Sequence, residues 1–535
     1  MKKVFLFSVV LVLLLLLLSG CFLVDTTPVT LKVYVTDYNS GAAVSDAKIS
    51  LLHNGIEKLD IYTNEKGEAL INLPTNRDII YVDLIVTKDG HSVTRINNLK
   101  LEKGKENIFE TQLRVSSSGK TNVLEPLTVN LELYGDSAMS KNLSFVDNVL
   151  DVSTDTLYYK VTVESNEYKE KYIYVKLGSV PGSGFFTNPR DINYGSPAEG
   201  SISTVGFDGL VPLYVAAFDQ NENLVVNVYY LNIHRKGKSV DNYYQVEYKD
   251  GARIFAYTRR GGIAFYGGSD KINKKADITL RKPQAAPEKD TNLWVEVKWI
   301  SWEQSSASST TDQPDAYVVY RSFDGESFEE IATVPEGYNY YRDKSPRLEV
   351  GKEVWYKVGA KYGDYVATPT LLGSVVPLDI FGIKYISPVD GATNVSTNPI
   401  FSWEIVNPVE SKEGTPVYYF DIWLYDNTVN DSGYYSLSKS GYPKYNFLIT
   451  TATSVEIEFS NPPFGLRWVD YAAKTWYPYV TLQKNKTYEW GNELAVAVVS
   501  DEDSEAYSIY ADLGKIFDPF KIEAEIYNTF TTGEN

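Results

Sequence analysis

The sequence predicts an all-β chain of tandem sandwich domains, and three observations carry that reading. Apolar and polar residues alternate with a period of two over short runs, as in half-buried strands. Clusters of Gly, Asn, Asp and Ser separate the runs. Tyrosine is heavily used, with 42 Tyr in 535 residues and 14% aromatic overall, which suits pleated surfaces and protein or glycan contacts. At roughly 100 to 200 residues per domain, this length implies three to five domains.

The first segment is different. Met1, Lys2 and Lys3 give a basic start, residues 4–18 are almost wholly apolar, and the run ends in Leu18, Ser19, Gly20 and Cys21. A basic region, an apolar region and small residues before a cut mark an exported precursor. The end of the run resembles the lipobox of bacterial lipoproteins, which implies a signal peptide over 1–20 and acylation of Cys21. An alternative uses the same residues: with Phe22, Leu23 and Val24 the apolar stretch covers 4–24, long enough for an uncleaved helix to span a bilayer. Cys21 is the single cysteine of the chain and stands where the lipobox requires one. Each buried methylene contributes about 0.8 kcal/mol and one acyl chain holds only marginally, so two or more are needed for firm attachment. Either reading makes a membrane the first partner and puts 25–535 on the exported side, periplasmic or at the cell surface. With Cys21 modified no disulfide can form, so each domain must be held by burial of its apolar residues, 43% of the chain.

Residues 29–115 alternate at Leu31, Val33 and Val35, at Ile49 and Leu51, and at Ala69, Ile71 and Leu73, with turns at Asn54-Gly55, Gly67 and Asp89-Gly90. The spacing from Val33 through Asp37, Gly41, Val44, Ala47 and Ile49 to Thr63 and Gly67 resembles the carboxypeptidase regulatory-like domain, a transthyretin-like sandwich. Ser116 to Gly119 then reads as a short flexible joint. Residues 121–238 alternate again at Leu127, Val129, Leu131 and Leu133, and 213–226 resemble the closing hairpin of a bacterial Ig-like domain. Asp219, Asn221 and Asn223 share the spacing of a calcium loop, but Leu224 stands where an EF-hand needs glycine, so a hydrogen-bonded turn is expected.

Residues 239–285 read as a basic, β-rich connecting segment. From 235 to 282 there are 12 Lys or Arg against 5 Asp or Glu, a net of +7 in a chain of −18. Such a patch either faces the acidic neighbouring domains or touches an anionic lipid or wall polymer, and Arg259, Arg260, Lys274 and Lys275 are the candidate polyanion contacts.

Residues 288–376 resemble a fibronectin type III domain, with Trp294 to Trp299, Ala316 to Arg321 and Trp355 to Ala360 as its main strands. The resemblance implies a corner hydrogen bond for Tyr356, although its spacing from Leu348 departs from the family pattern, and a core place for Trp294 or Trp299. Residues 386–535 open on Ser387-Pro388 and Trp403 and resemble Ig-like and fibronectin-like modules; Leu482, Tyr488 and Trp490 repeat the corner logic with better spacing, and Phe530 marks the closing strand. This domain is about half as large again as a plain sandwich of roughly 100 residues. The surplus, 425–480, is rich in aromatics, and Trp468, Tyr471, Trp476, Tyr477 and Tyr479 are candidate ligand-binding residues: they either cover a sheet edge or form a platform for sugar rings.

Catalysis is not expected. His53, His91 and His234 have no ligand spacing, no metal or cofactor motif is present, and no nucleophile motif or phosphate loop occurs. The acidic balance argues against nucleic acid as the general partner. The expected protein is a cell-envelope lipoprotein of four sandwiches, reaching about 130 Å if fully extended, that works as a non-catalytic structural, adhesion or protein-interaction scaffold. The alternative is an accessory carbohydrate-binding lipoprotein that captures polysaccharide.

Overall fold

The computed structural model describes residues 28–534 apart from 38–42, 54–55, 106, 115, 117–125, 147, 166–167, 179–192, 194, 235–240, 252, 261–263, 266–290, 346, 427–432, 438–446, 460–466, 471–474, 479–480, 513–520 and 523–526. The described residues are mostly strands, and their only helical turns are the 3-10 segments Trp302–Gln304 and Ser306–Ser309. Among them no helix is long and apolar enough to cross a membrane.

The alternation at Leu31, Val33 and Val35 becomes the strand Val29–Asp37, with all three side chains at 0% exposure. It pairs antiparallel with Glu68–Leu73 and parallel with Asn107–Leu113, and these three strands make one face of the first sandwich. Thr94–Glu102, Ile79–Thr87, Lys48–His53 and Ile56–Tyr62 make the other. Gly67 turns the chain with φ +72°, and a Cβ there would lie 2.3 Å from the Val35 carbonyl oxygen, so only glycine fits.

In the second sandwich, Ala198–Ser203, Thr156–Ser165 and Leu127–Tyr134 form one sheet, and Glu170–Leu177, Gly209–Asp219 and Leu224–Ile233 lie in the other. That second sheet does not stop at the domain border. Leu224–Ile233 pairs in parallel with Thr94–Glu102, from Leu224 opposite Thr94 to Asn227 opposite Asn97, so one sheet runs through both sandwiches. Tyr174, Phe218 and Val226 accordingly share a buried cluster with Leu31 and Val33. The joint expected at Ser116 is closed at its first residue: Ser116 is buried and its hydroxyl donates to Asn221 Oδ1 at 2.9 Å.

The third and fourth sandwiches are joined in the same way. Ile254–Arg260 pairs antiparallel with Thr291–Lys298 of the third sandwich and parallel with Ser504–Asp512 of the fourth. The described part of 239–285 is therefore not a connector. Tyr244 and Val246 are buried with Tyr317 and Tyr356, and the same cluster continues into Phe401, Trp403 and Trp490. Trp299 joins this core, while Trp294 stacks on Tyr257 at 5.2 Å, which stacks on Tyr507 at 4.9 Å across the border. Each ring withdraws about 150–250 Å² from water, roughly 4–6 kcal/mol before the entropy of ordering is subtracted.

The third sandwich also lies against the first two, which replaces the expected extended string. Gly206, at φ +90°, brings its Cα so close to the third sandwich that a Cβ would lie 2.5 Å from Ala316 Cβ. Nearby, the Lys361 ammonium sits 5.8 Å from the centre of the Phe207 ring.

Candidate functional site

Cys21 lies outside the described residues, as do Tyr471, Tyr479, Lys274 and Lys275. Trp468 is on Arg467–Asp470, and Trp476 and Tyr477 are on Thr475–Pro478. These two strands and Gly433–Ser436 extend the edge of the large sheet beyond Val417–Asp426. Their register sets Trp468 opposite Tyr477 and Trp476 opposite Val469, so the two tryptophans hold positions of opposite parity. Two further described strands of the surplus belong to the sandwich: Leu448–Thr450 pairs with Val417–Asp426, and Ser454–Glu458 with Ile400–Val406.

Of the four basic candidates, Arg259 is 2% exposed within Ile254–Arg260, between two paired strands. That burial takes it off any outer basic patch. Arg260 ends the same strand.

The Asp219 loop is a closed turn. Oδ1 of Asp219 accepts the backbone N–H groups of Asn221 and Asn223 at 2.8 and 2.9 Å, and Oδ2 accepts from the Asn223 side chain at 2.8 Å. Asn223 Oδ1 in turn accepts the Val93 N–H at 2.9 Å, tying the loop to the first sandwich. The side-chain oxygens of Asp219 and Asn223 thus accept N–H groups, and Asn221 Oδ1 accepts the Ser116 hydroxyl. Burial pushes the Asp219 carboxyl up to about 6. In the acidic hairpin at 501–505, Asp503 forms an ion pair with Arg253 and its carbonyl accepts the Arg253 N–H at 2.7 Å. Among the described residues no group of His, Cys, Asp or Glu is placed to hold a metal ion.

The histidines are apart. His91 Nε2 lies 3.3 Å from Asp37, and that contact holds its imidazolium above the ordinary value. His234 Nε2 lies 2.9 Å from Asp151 on an exposed surface.

One cluster was not anticipated from the sequence. On the third sandwich, Arg321 gives Asp343 two hydrogen bonds from Nη1 at 3.0 and 2.9 Å, and reaches Glu329 Oε1 through Nε at 3.1 Å and Nη2 at 2.8 Å. Asp343 also accepts from Tyr356 OH and from the Ser345 N–H, each at 2.9 Å. Into this array comes Glu110 of the first sandwich: its Oε1 accepts from Ser345 Oγ at 2.8 Å and from Arg347 Nε at 3.0 Å, with Arg321 Nη2 at 3.8 Å. Glu110 is 3% exposed, Arg321 1% and Asp343 0%. Burial raises the Glu110 carboxyl above its ordinary value against the pull of Arg321 and Arg347. A signal did exist: Glu110 is the single charge in Asn107–Leu113, and Arg321 the single charge in Ala316–Ser322. A lone charge in a core strand needs a partner.

No protein-family model and no curated protein matches the chain. Among solved structures it is similar to the FN1–FN3 domains of chicken CNTN1, at 8% identity over 68% of this chain and 96% of that one, with a TM-score of 0.20. It is similar to a tetra-tandem repeat in the extending region of a large adhesion protein, at 8% identity over 90% and 99%, TM-score 0.14. It is also similar to BcpA, the major pilin subunit of Bacillus cereus, at 11% identity over 64% and 94%, TM-score 0.15. The architecture described above rests on this chain's own strands.

Proposed function

We propose that the chain is a cell-envelope lipoprotein, held to a membrane by acyl chains on Cys21, that serves as a non-catalytic scaffold for adhesion or for docking an envelope protein. The observation that carries this reading is the construction of the two joints. Where sandwiches one and two meet, and where three and four meet, a sheet passes through the border and the core is shared. Backbone ladders and apolar burial of that kind resist bending, which suits a body that holds partners at set positions, whereas a clamp around a small ligand needs mobile joints. Supporting the anchor is the position of the single cysteine after Leu18, Ser19 and Gly20.

The test is in-cell crosslinking of the full chain, beside a glycan array probed with the same full chain. A specific envelope protein recovered with the wild type, lost with Cys21→Ser, and a blank array are the expected results. Saturable glycan binding that disappears in Trp468→Ala or Trp476→Ala would overturn the scaffold reading in favour of polysaccharide capture.

A further inference from the structure

The Glu110 contact has an asymmetry. Ser345 Oγ and Arg347 Nε, which donate to its Oε1, and the nearby Arg321 guanidinium come from the third sandwich, and each is also held by its own neighbours. Arg321 is fixed by Asp343 and Glu329, Asp343 is fixed by Tyr356 and the Ser345 N–H, and Arg347 reaches Glu329 through Nη2. Ser345 Oγ accepts the Arg347 N–H at 3.1 Å while donating its own proton to Glu110. The aromatic rings of Phe323 and Tyr34 stand 5.2 and 5.8 Å from the Arg347 guanidinium, the first from the third sandwich and the second from the first. The receiving groups therefore do not depend on Glu110 for their order.

We infer that Arg321, Arg347 and Ser345 form a preorganised carboxylate-binding site on the third sandwich, and that Glu110 is its tethered ligand, closing a latch between two rigid halves. Two guanidinium groups and a hydroxyl aimed at one oxygen match a carboxylate, which accepts several donors at once. Withdrawal of Glu110 leaves Arg321 paired with Asp343, so an open form strands no buried cation; the displaced carboxylate is simply hydrated. Tethering makes the closed form intramolecular, so the site is filled in cis at an effective concentration set by the chain between the halves. The inference is independent of the anchor and of the scaffold role.

The experiment uses the full-length chain carrying Cys21→Ser with spin labels on Tyr62→Cys and Ile449→Cys, positions that are 59% and 56% exposed on the first and fourth sandwiches. Pulsed electron paramagnetic resonance reads the distance between them. A single narrow distance is expected for the otherwise unchanged chain, and a longer, broader distribution for Glu110→Ala and for Arg347→Ala. Acetate should return Glu110→Ala, whose site is intact, to the narrow distance, while chloride at equal ionic strength should not; Arg347→Ala should respond to neither. Unchanged distances in Arg347→Ala, or acetate acting equally on both variants, would overturn the latch. If Glu110→Ala impairs the first sandwich, the Arg347→Ala distances decide by themselves.

Discussion

Tyr356 donates its hydroxyl proton to Oδ2 of Asp343 at 2.9 Å, inside the core of the third sandwich. The corner bond expected of it is found instead in the fourth sandwich, where Tyr488 OH accepts the backbone N–H of Gln483 at 3.0 Å. Both rings are 0% exposed. The difference lies in what each hydroxyl serves: Tyr488 closes a local turn, whereas Tyr356 holds the carboxylate that positions Arg321. Hydrogen bonds to charged groups contribute about 1.5–3 kcal/mol and neutral ones about 0.5–1.5. Tyr356→Phe should therefore lower unfolding stability in urea by about 1.5–3 kcal/mol, and Tyr488→Phe by about half as much. Equal losses would show that the Asp343 contact adds nothing beyond an ordinary bond.

Asp219 should give the joint between the first two sandwiches a pH dependence of unusual sign. Its folded value is pushed up to about 6 by burial, above the ordinary value of about 3.9. The folded state therefore holds its proton more tightly than the unfolded chain, and this group's contribution falls as pH rises from about 4 to about 6, by roughly 3 kcal/mol in total. Stability followed by urea unfolding across that range should fall less steeply with pH in Asp219→Asn than in the wild type. The same slope in both would refute the assignment.

His91 should act in the same direction, over a higher pH window. Its imidazolium is favoured by Asp37 and by the Asp89 carbonyl at 3.2 Å, against burial and Lys88. With the folded value raised, the contribution is fully present below the unfolded value of about 6.5 and is lost as pH rises through the folded one. Asp37→Asn should flatten the stability profile above about pH 6.5, and an NMR titration of His91 in that variant should move toward the ordinary midpoint. A midpoint unmoved by the substitution would exclude Asp37 as the cause.

Trp294 should couple the third sandwich to the fourth. It is 2% exposed, stacked on Tyr257, and grouped with Leu494, Val496 and Ile509 of the fourth sandwich. Trp294→Ala should cost about 3–5 kcal/mol. Hydrogen exchange should quicken in Ser504–Asp512 as well as in Thr291–Lys298. Faster exchange confined to the third sandwich would mean that the two do not share stability.

The strands, their inward residues and several turns were legible from the chain alone. Leu31, Val33 and Val35 and the hairpin around Asp219 follow from local pattern, and of Trp294 and Trp299, one of which the resemblance implied for the core, both are buried. The candidate residues fared differently: Arg259 was read as part of a basic surface because charge was counted along the chain, and its strand turned out to lie between two others. The Glu110 cluster was missed because each half of it looks like an ordinary strand until 237 residues of separation are closed.

What the sequence determined by itself is side-chain parity, because a strand repeats every two residues and the apolar set must face one way. What only the tertiary structure decided is which strand edges meet. Thr94–Glu102 against Leu224–Ile233, and Ile254–Arg260 against Ser504–Asp512, are joined by backbone N–H and carbonyl groups. Nearly every residue carries both groups, so an edge pairing leaves little trace in side-chain pattern. Those two pairings turn four separately readable sandwiches into two fused halves, and the Glu110 contact then sets one half against the other.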